Sequence, residues 1–183
     1  MLGVVAALCI CAAIVGYISL NYLGKKVGQA IQTDPAQVAQ VADKIADFDL
    51  PPGYDLAMSM SFVGYDVVII TPSGSSANAT TIMLMQTAGL SGADPEQLQQ
   101  QMQQAMQQQT GQSGPTVVVE TRQETIRGQQ VTVTISETQS QGFTLRQLMT
   151  FFEGKNGLVI LMIQGPAQSW DEKVIEDFLQ SIH

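Results

Sequence analysis

Lys155-Asn156-Gly157-Leu158-Val159-Ile160-Leu161-Met162-Ile163 decides the architecture of this chain. Asn-Gly suits the left-handed backbone of a tight hairpin turn. The six residues after it are all apolar, the pattern of a central strand covered on both faces. Residues 143–153 supply the preceding arm. There Phe143 and Leu145 share one parity while Leu148 and Phe152 share the other, a switch near Gln147 that predicts a β-bulge. Further upstream, Thr116 to Thr125 and Gln129 to Glu137 flank Arg127-Gly128 as a second hairpin, with Val131, Val133 and Ile135 alternating with threonines.

Towards the amino terminus the same two-residue period returns. Leu56, Met58, Met60 and Phe62 alternate with small residues, as one face of a half-buried strand would. Val63-Gly64 turns the chain, Val67 to Ile70 is apolar on both faces, and Thr81 to Gln86 reads as a third strand. Helices punctuate these runs. Asp34-Pro35-Ala36-Gln37 carries an N-cap and a proline at the first helical position, followed by Val38, Val41, Ala42 and Ile45 at helical spacing. Leu50-Pro51-Pro52-Gly53 ends that helix. Asp94-Pro95-Glu96-Gln97 repeats the start signal before a helix with ten glutamines between residues 97 and 112. Its apolar stripe is Leu98, Met102, Ala105 and Met106, and its Gln-rich side reads as an uncharged solvated face. Ser169-Trp170-Asp171-Glu172 is a capping box, and Trp170, Val174, Phe178 and Ile182 line the helix that follows. The expected fold is therefore α+β: about seven strands in a mostly antiparallel sheet, packed with three helices within residues 34–183.

Composition limits the chemistry. The chain has 183 residues, 8 Lys+Arg and 16 Asp+Glu, for a net charge of −8. Its cysteines are Cys9 and Cys11 and its one histidine is the terminal His183, so no Ser-His-Asp, Cys-His or His/Cys metal constellation is expected within the domain. A nucleic-acid partner would need a basic stripe, and this chain is acidic. Both points argue for a non-enzymatic protein with no cofactor and no nucleic-acid partner.

Leu2 to Leu20 carry no charge, and a helix over Leu2 to Leu23 would span the roughly 30 Å hydrocarbon core. The expected organisation is a transmembrane anchor at 1–23, a juxtamembrane linker at 24–33 and a globular domain at 34–183. Gly3, Ala7 and Cys11 recur at four-residue spacing, and Ala12 and Gly16 form a second small pair. Such positions let another membrane helix approach closely, so these five residues are the candidate helix-packing interface. The implied partners are the lipid bilayer and an integral membrane protein complex. A single-pass protein of the cell membrane with an extracytoplasmic domain follows, although Lys25 and Lys26 pull the domain towards the cytoplasm by the positive-inside rule.

The opening Leu50-Pro51-Pro52-Gly53-Tyr54, the late hairpin ending in Leu158-Val159-Ile160-Leu161-Met162-Ile163, and the closing Phe178-Leu179-Gln180-Ser181-Ile182 together resemble the PsbP-like and DcrB-like superfamily of small extracytoplasmic domains. That resemblance covers most of residues 50–183. It implies an antiparallel sheet between helices and an accessory, non-enzymatic role beside a larger membrane complex, and it transfers no site residue.

Two constellations bear on chemistry. Met58/Met60 and Met83/Met85 are Met-x-Met pairs, and soft thioethers can hold Cu(I). On strands, however, each pair falls on one face, where methionine packs. Asp43, Asp47 and Asp49, and the set Asp171, Glu172, Glu176 and Asp177, lack the loop spacing of a calcium site. The functional expectation is a membrane-anchored accessory or assembly subunit of a membrane protein complex. The alternative is an extracytoplasmic ligand-binding carrier or sensor, with a small apolar ligand held between sheet and helix.

Overall fold

A computed structural model describes residues 31–62, 64–74, 79–88, 116–140 and 142–183. The chain forms β1 (Ile31–Gln32), α1 (Pro35–Ile45), β2 (Tyr54–Phe62), β3 (Tyr65–Pro72), β4 (Thr81–Thr87), β5 (Thr116–Ile126), β6 (Gln129–Ser140), β7 (Phe143–Glu153), β8 (Leu158–Pro166), a short 3₁₀ turn (Ala167–Ser169) and α2 (Glu172–Ser181). All eight strands join one sheet in the order β1-β2-β3-β4-β8-β7-β6-β5, with every neighbouring pair antiparallel. Two meanders, β2-β3-β4 and β5-β6-β7-β8, meet at the β4–β8 pair. The apolar run after Asn156-Gly157 thus lies between two other strands.

The expected fold class requires correction. An eight-stranded antiparallel sheet with two helices, among the described residues, replaces the seven strands and three helices with a transmembrane segment. The added strand is Ile31–Gln32, which pairs with Ser59 and Met60 inside the stretch read as a linker. Two residues are too short for periodicity to reveal. The helix expected after Asp94 lies outside the described residues. So does the 1–23 span with Gly3, Ala7, Cys11, Ala12 and Gly16. Among the described residues no helix is long and apolar enough to cross a membrane. The single-pass transmembrane description therefore has no described helix beneath it.

Asp34 caps α1 by accepting from the N–H groups of Ala36 and Gln37, and Val38, Val41, Ala42 and Ile45 are buried on the sheet. Asp171, not Ser169, caps α2: its carboxylate accepts from Val174 N–H at 3.2 Å. The capping-box spacing fits only Ser169 with Glu172, but the 3₁₀ turn over Ala167–Ser169 delays the helix by two residues and leaves the cap to the Asp171 carboxylate alone. The buried stripe of α2 accordingly runs through Ile175, Phe178, Leu179 and Ile182, and Val174 and Trp170 flank it half-buried.

Both helices cover one face of the sheet. Beneath them Val68, Ile70, Ile82, Leu84, Val133, Ile135, Leu148, Phe152, Val159, Leu161 and Ile163 form the main core. The opposite face carries a second cluster of Met149, Phe151, Leu158 and Ile160, with Met85 and Met162 packed against it. This explains the parity switch in β7. Leu148 and Phe152 face the helices while Met149 and Phe151 face away, so both sides of one regular strand are apolar. No bulge occurs near Gln147, and the pairing of β7 with β6 and β8 is continuous there. The irregularities lie elsewhere, between Leu56 and Met58 in β2 and between Val118 and Glu120 in β5. The first of these splits the expected Leu56-to-Phe62 face. Leu56 packs on the helical side, whereas Met58 and Met60, opposite Ile69 and Val67, lie on the other.

Candidate interaction surface

β5 is an eleven-residue strand at the edge of the sheet, and among the described residues nothing pairs with its outer side. Successive residues of a strand turn their N–H and C=O groups to opposite neighbours. Gly154 N–H donates to the Gly157 carbonyl at 2.8 Å, which sets that alternation across the sheet. It makes Met149 bond to Thr134, and Val133 bond to Arg122. Thr121, Gln123 and Thr125 therefore turn their backbone groups outward.

At the start of this edge, Val117, Val118 and Val119 are 56%, 49% and 49% exposed. Three adjacent β-branched apolar residues on an open edge are what a natural sheet normally blunts, because such an edge templates pairing with another chain. Blunting is present further along. The bulge at Val119 bends the strand, and Glu120, Arg122 and Glu124 follow at alternate positions.

Those charges fasten α2 to the edge strand. Arg122 Nη1 lies 3.0 Å from Glu120 and 2.8 Å from Glu172 of α2. Its Nε sits 2.9 Å from Glu124, off the N–H axis, and Nη2 is 3.9 Å from Glu176. Burial opposes the Arg122 charge, but the Glu172 and Glu120 carboxylates together outweigh it and raise its pKa. For Glu172, burial alone would push the pKa up. Hydrogen bonds from Arg122 and Trp170 reverse that and hold it below its ordinary 4.5. A group depressed in the folded state contributes stability above its unfolded pKa and loses it as pH falls through the folded value. The urea midpoint should therefore drop on acidification below about pH 4.5, and Glu172→Gln should flatten that slope in a titration from about pH 6 to pH 3.

Next to this network, Arg146 donates to Glu137 and lies 5.8 Å from the Trp170 ring centroid, and Trp170 Nε1 donates to Glu172 at 2.9 Å. The expected acidic set on α2 is thus occupied by the fold. Asp171 caps, Glu172 and Glu176 face Arg122, and Asp177 pairs with Lys173.

Asp43, Asp47 and Asp49 line a cleft of about 370 Å³ with Phe48, Leu56 and His183. Asp47 is held by Lys155, whose hydrogen bond lowers its pKa. The Asp47 and His183 backbones bond to each other in both directions, at 2.9 and 3.3 Å. Among the described residues no group of three or more His, Cys, Asp or Glu side chains is placed to hold a metal ion. The two Met-x-Met pairs share the sheet face turned from the helices, but β3 runs between them, with Ile69 between Met58 and Met83 and Val67 between Met60 and Met85. A thioether site drawing on both pairs would have to bridge about 10 Å of strand spacing.

A second exposed apolar feature is the corner formed by Met60, Phe62 and Tyr65, with Phe62 57% exposed. Composition gave no sign of either surface. The valine run was visible in the sequence, but its edge position depends on the long connection from β4 to β5, which local pattern does not specify.

No family model matches this chain, and no curated protein does. Among solved structures, a Pseudomonas aeruginosa protein of unknown function, PA94, matches with 14% identity over 56% of this chain and 69% of that one, at a TM-score of 0.40. A likeness that distant carries no argument about function. Nothing in these comparisons bears on the PsbP-like and DcrB-like resemblance.

Proposed function

We propose that this chain is a non-catalytic accessory domain that binds a protein partner by accepting an extended strand along β5. The observation that carries this reading is the open outer edge of β5 with Val117, Val118 and Val119 half exposed at its start. In strand addition the main-chain bonds supply affinity, and side-chain pockets at alternate positions supply specificity. Here the alternate positions offer valines at one end and a charged set at the other, which favours a partner strand that is apolar at one end and basic at the other. The charge balance of the chain agrees, since an acidic surface attracts a basic segment over several ångströms. The main core between sheet and helices is filled by side chains, which favours recognition at the surface over an enclosed ligand.

Gln123→Pro tests this. Proline is tolerated on an edge strand where the missing N–H pointed to solvent, so the fold should lose less than about 1 kcal/mol. Extended peptides selected on the wild-type chain from a displayed library should bind the variant at least about tenfold more weakly. Val118→Glu should weaken them as well. Peptides that bind both variants as tightly as wild type would place recognition elsewhere.

A further inference from the structure

The charged row of β5 has a fixed side and a fixed spacing. Glu120, Arg122 and Glu124 stand opposite Ile135, Val133 and Val131, which belong to the core under the helices. Their side chains therefore rise on the helical face, beside Glu172 and Glu176 on the flank of α2. Their backbone groups bond inward to β6, so towards an added strand all three occupy non-hydrogen-bonded positions. There facing side chains come closest. Four carboxylates surround one guanidinium, a local excess of three negative charges. Arg122 also holds two of them in place. Glu120 lies 3.0 Å from Nη1 and Glu124 lies 2.9 Å from Nε, while their side chains stay 47% and 30% exposed.

We propose that the strand accepted by β5 carries lysine or arginine at two positions four residues apart, one opposite Glu124 and one opposite Glu120, with an uncharged residue between them opposite Arg122. The pattern rests on the strand-addition reading and gives it a partner chemistry. Opposite charges facing each other across a strand pair attract, and a cation directly opposite Arg122 is repelled. Every neighbouring pair in the sheet is antiparallel, and antiparallel pairing is the more stable per residue. In that orientation the cation facing Glu124 comes first in the partner and the one facing Glu120 second. Apolar residues after it reach Val118 and Val117. Two cations reduce the local excess from three negative charges to one. A second copy of β5 fits badly, since it brings four more carboxylates with a single guanidinium.

Two blocked peptides test this on the full chain: Thr-Lys-Thr-Val-Thr-Lys-Val-Thr-Val, and the same sequence with both lysines replaced by glutamate. At about 50 mM salt the lysine peptide should bind at least about tenfold more tightly than the glutamate peptide. At about 0.5 M salt that ratio should shrink several-fold. Glu120→Gln with Glu124→Gln leaves Glu172 to hold Arg122, and should bring the two peptides within about threefold of each other. A urea midpoint near that of the wild type shows that this variant is folded. Gln123→Pro should weaken the lysine peptide at least about tenfold. Equal binding of both peptides to the wild type, lost in Gln123→Pro, would overturn the charge pattern and leave strand addition standing. Undiminished binding to Gln123→Pro would overturn strand addition and the pattern with it. So would binding of neither peptide, or a concentration-dependent dimer of the chain that Gln123→Pro abolishes.

Discussion

Replacing Phe178 with alanine should lower the unfolding free energy by about 3–5 kcal/mol, the usual cost of removing a buried phenylalanine. The ring is 1% exposed and meets Phe48 edge to face, with centroids 5.6 Å apart and an interplanar angle of 70°. Ile175, Leu179 and Ile182 stand beside it on the same helical stripe. The loss reaches beyond the cavity, because Phe48 belongs to a loop that the end of α2 holds in place. Asp49 N–H donates to Ser181 Oγ at 3.2 Å, and His183 N–H donates to the Asp47 carbonyl at 2.9 Å. For a domain whose whole stability is about 5–15 kcal/mol, such a change is large. Urea unfolding followed through Trp170, the one tryptophan in the chain, measures it. A loss under about 1 kcal/mol would mean that α2 does not belong to the core.

Local chemistry made individual elements readable before their arrangement. Asp34 and Pro35 start α1 because capping and a preset φ act within one turn of helix. Arg127-Gly128 turns the β5–β6 hairpin with φ of 52° and 73°, the two positive values that a type I′ turn requires. The arrangement was harder to see. The pattern of Leu56, Met58, Met60 and Phe62 looks like one face, but one irregular residue sends Leu56 to the helices and the methionines away. In β7 the opposite error arises, since a strand apolar on both sides mimics a bulge. The α2 stripe was misplaced by one position because Trp170 and Val174 look as apolar as Ile175 and Leu179. The edge position of β5 could not be read at all. It follows from the 28 residues that join Thr87 to Thr116, and hairpin signals say nothing about where such a connection lands.

The Asn156-Gly157 turn was legible as a hairpin, yet the reason it needs glycine comes from a different strand, and Gly157→Ala should cost roughly 2–6 kcal/mol. Two effects add. The backbone of Gly157 has φ +140°, in a region that side chains rarely enter, and such strain costs about 1–3 kcal/mol. A Cβ there would also lie 2.5 Å from the carbonyl oxygen of Thr87 and 3.1 Å from Ala88 Cα. Neither neighbour is a flexible side chain that could turn aside. Thr87 is paired with Leu158 at the central β4–β8 seam, so moving its carbonyl disturbs the junction of the two meanders. The turn itself has little freedom to retreat. Asn156 N–H donates to Gln86 Oε1 at 3.0 Å, Asn156 Nδ2 donates to the Lys44 carbonyl at 2.8 Å, and Lys155 N–H donates to the Ile45 carbonyl at 2.9 Å, which pins the hairpin to the end of α1. Gly53→Ala separates the two effects. Its φ is +80° and a Cβ there meets nothing within 4 Å, so only backbone strain of about 1–2 kcal/mol should appear. Denaturation midpoints of the two variants, measured side by side, should put Gly157→Ala well below Gly53→Ala. Equal midpoints would show that the Thr87 carbonyl yields without cost, and that the central seam is looser than its packing implies.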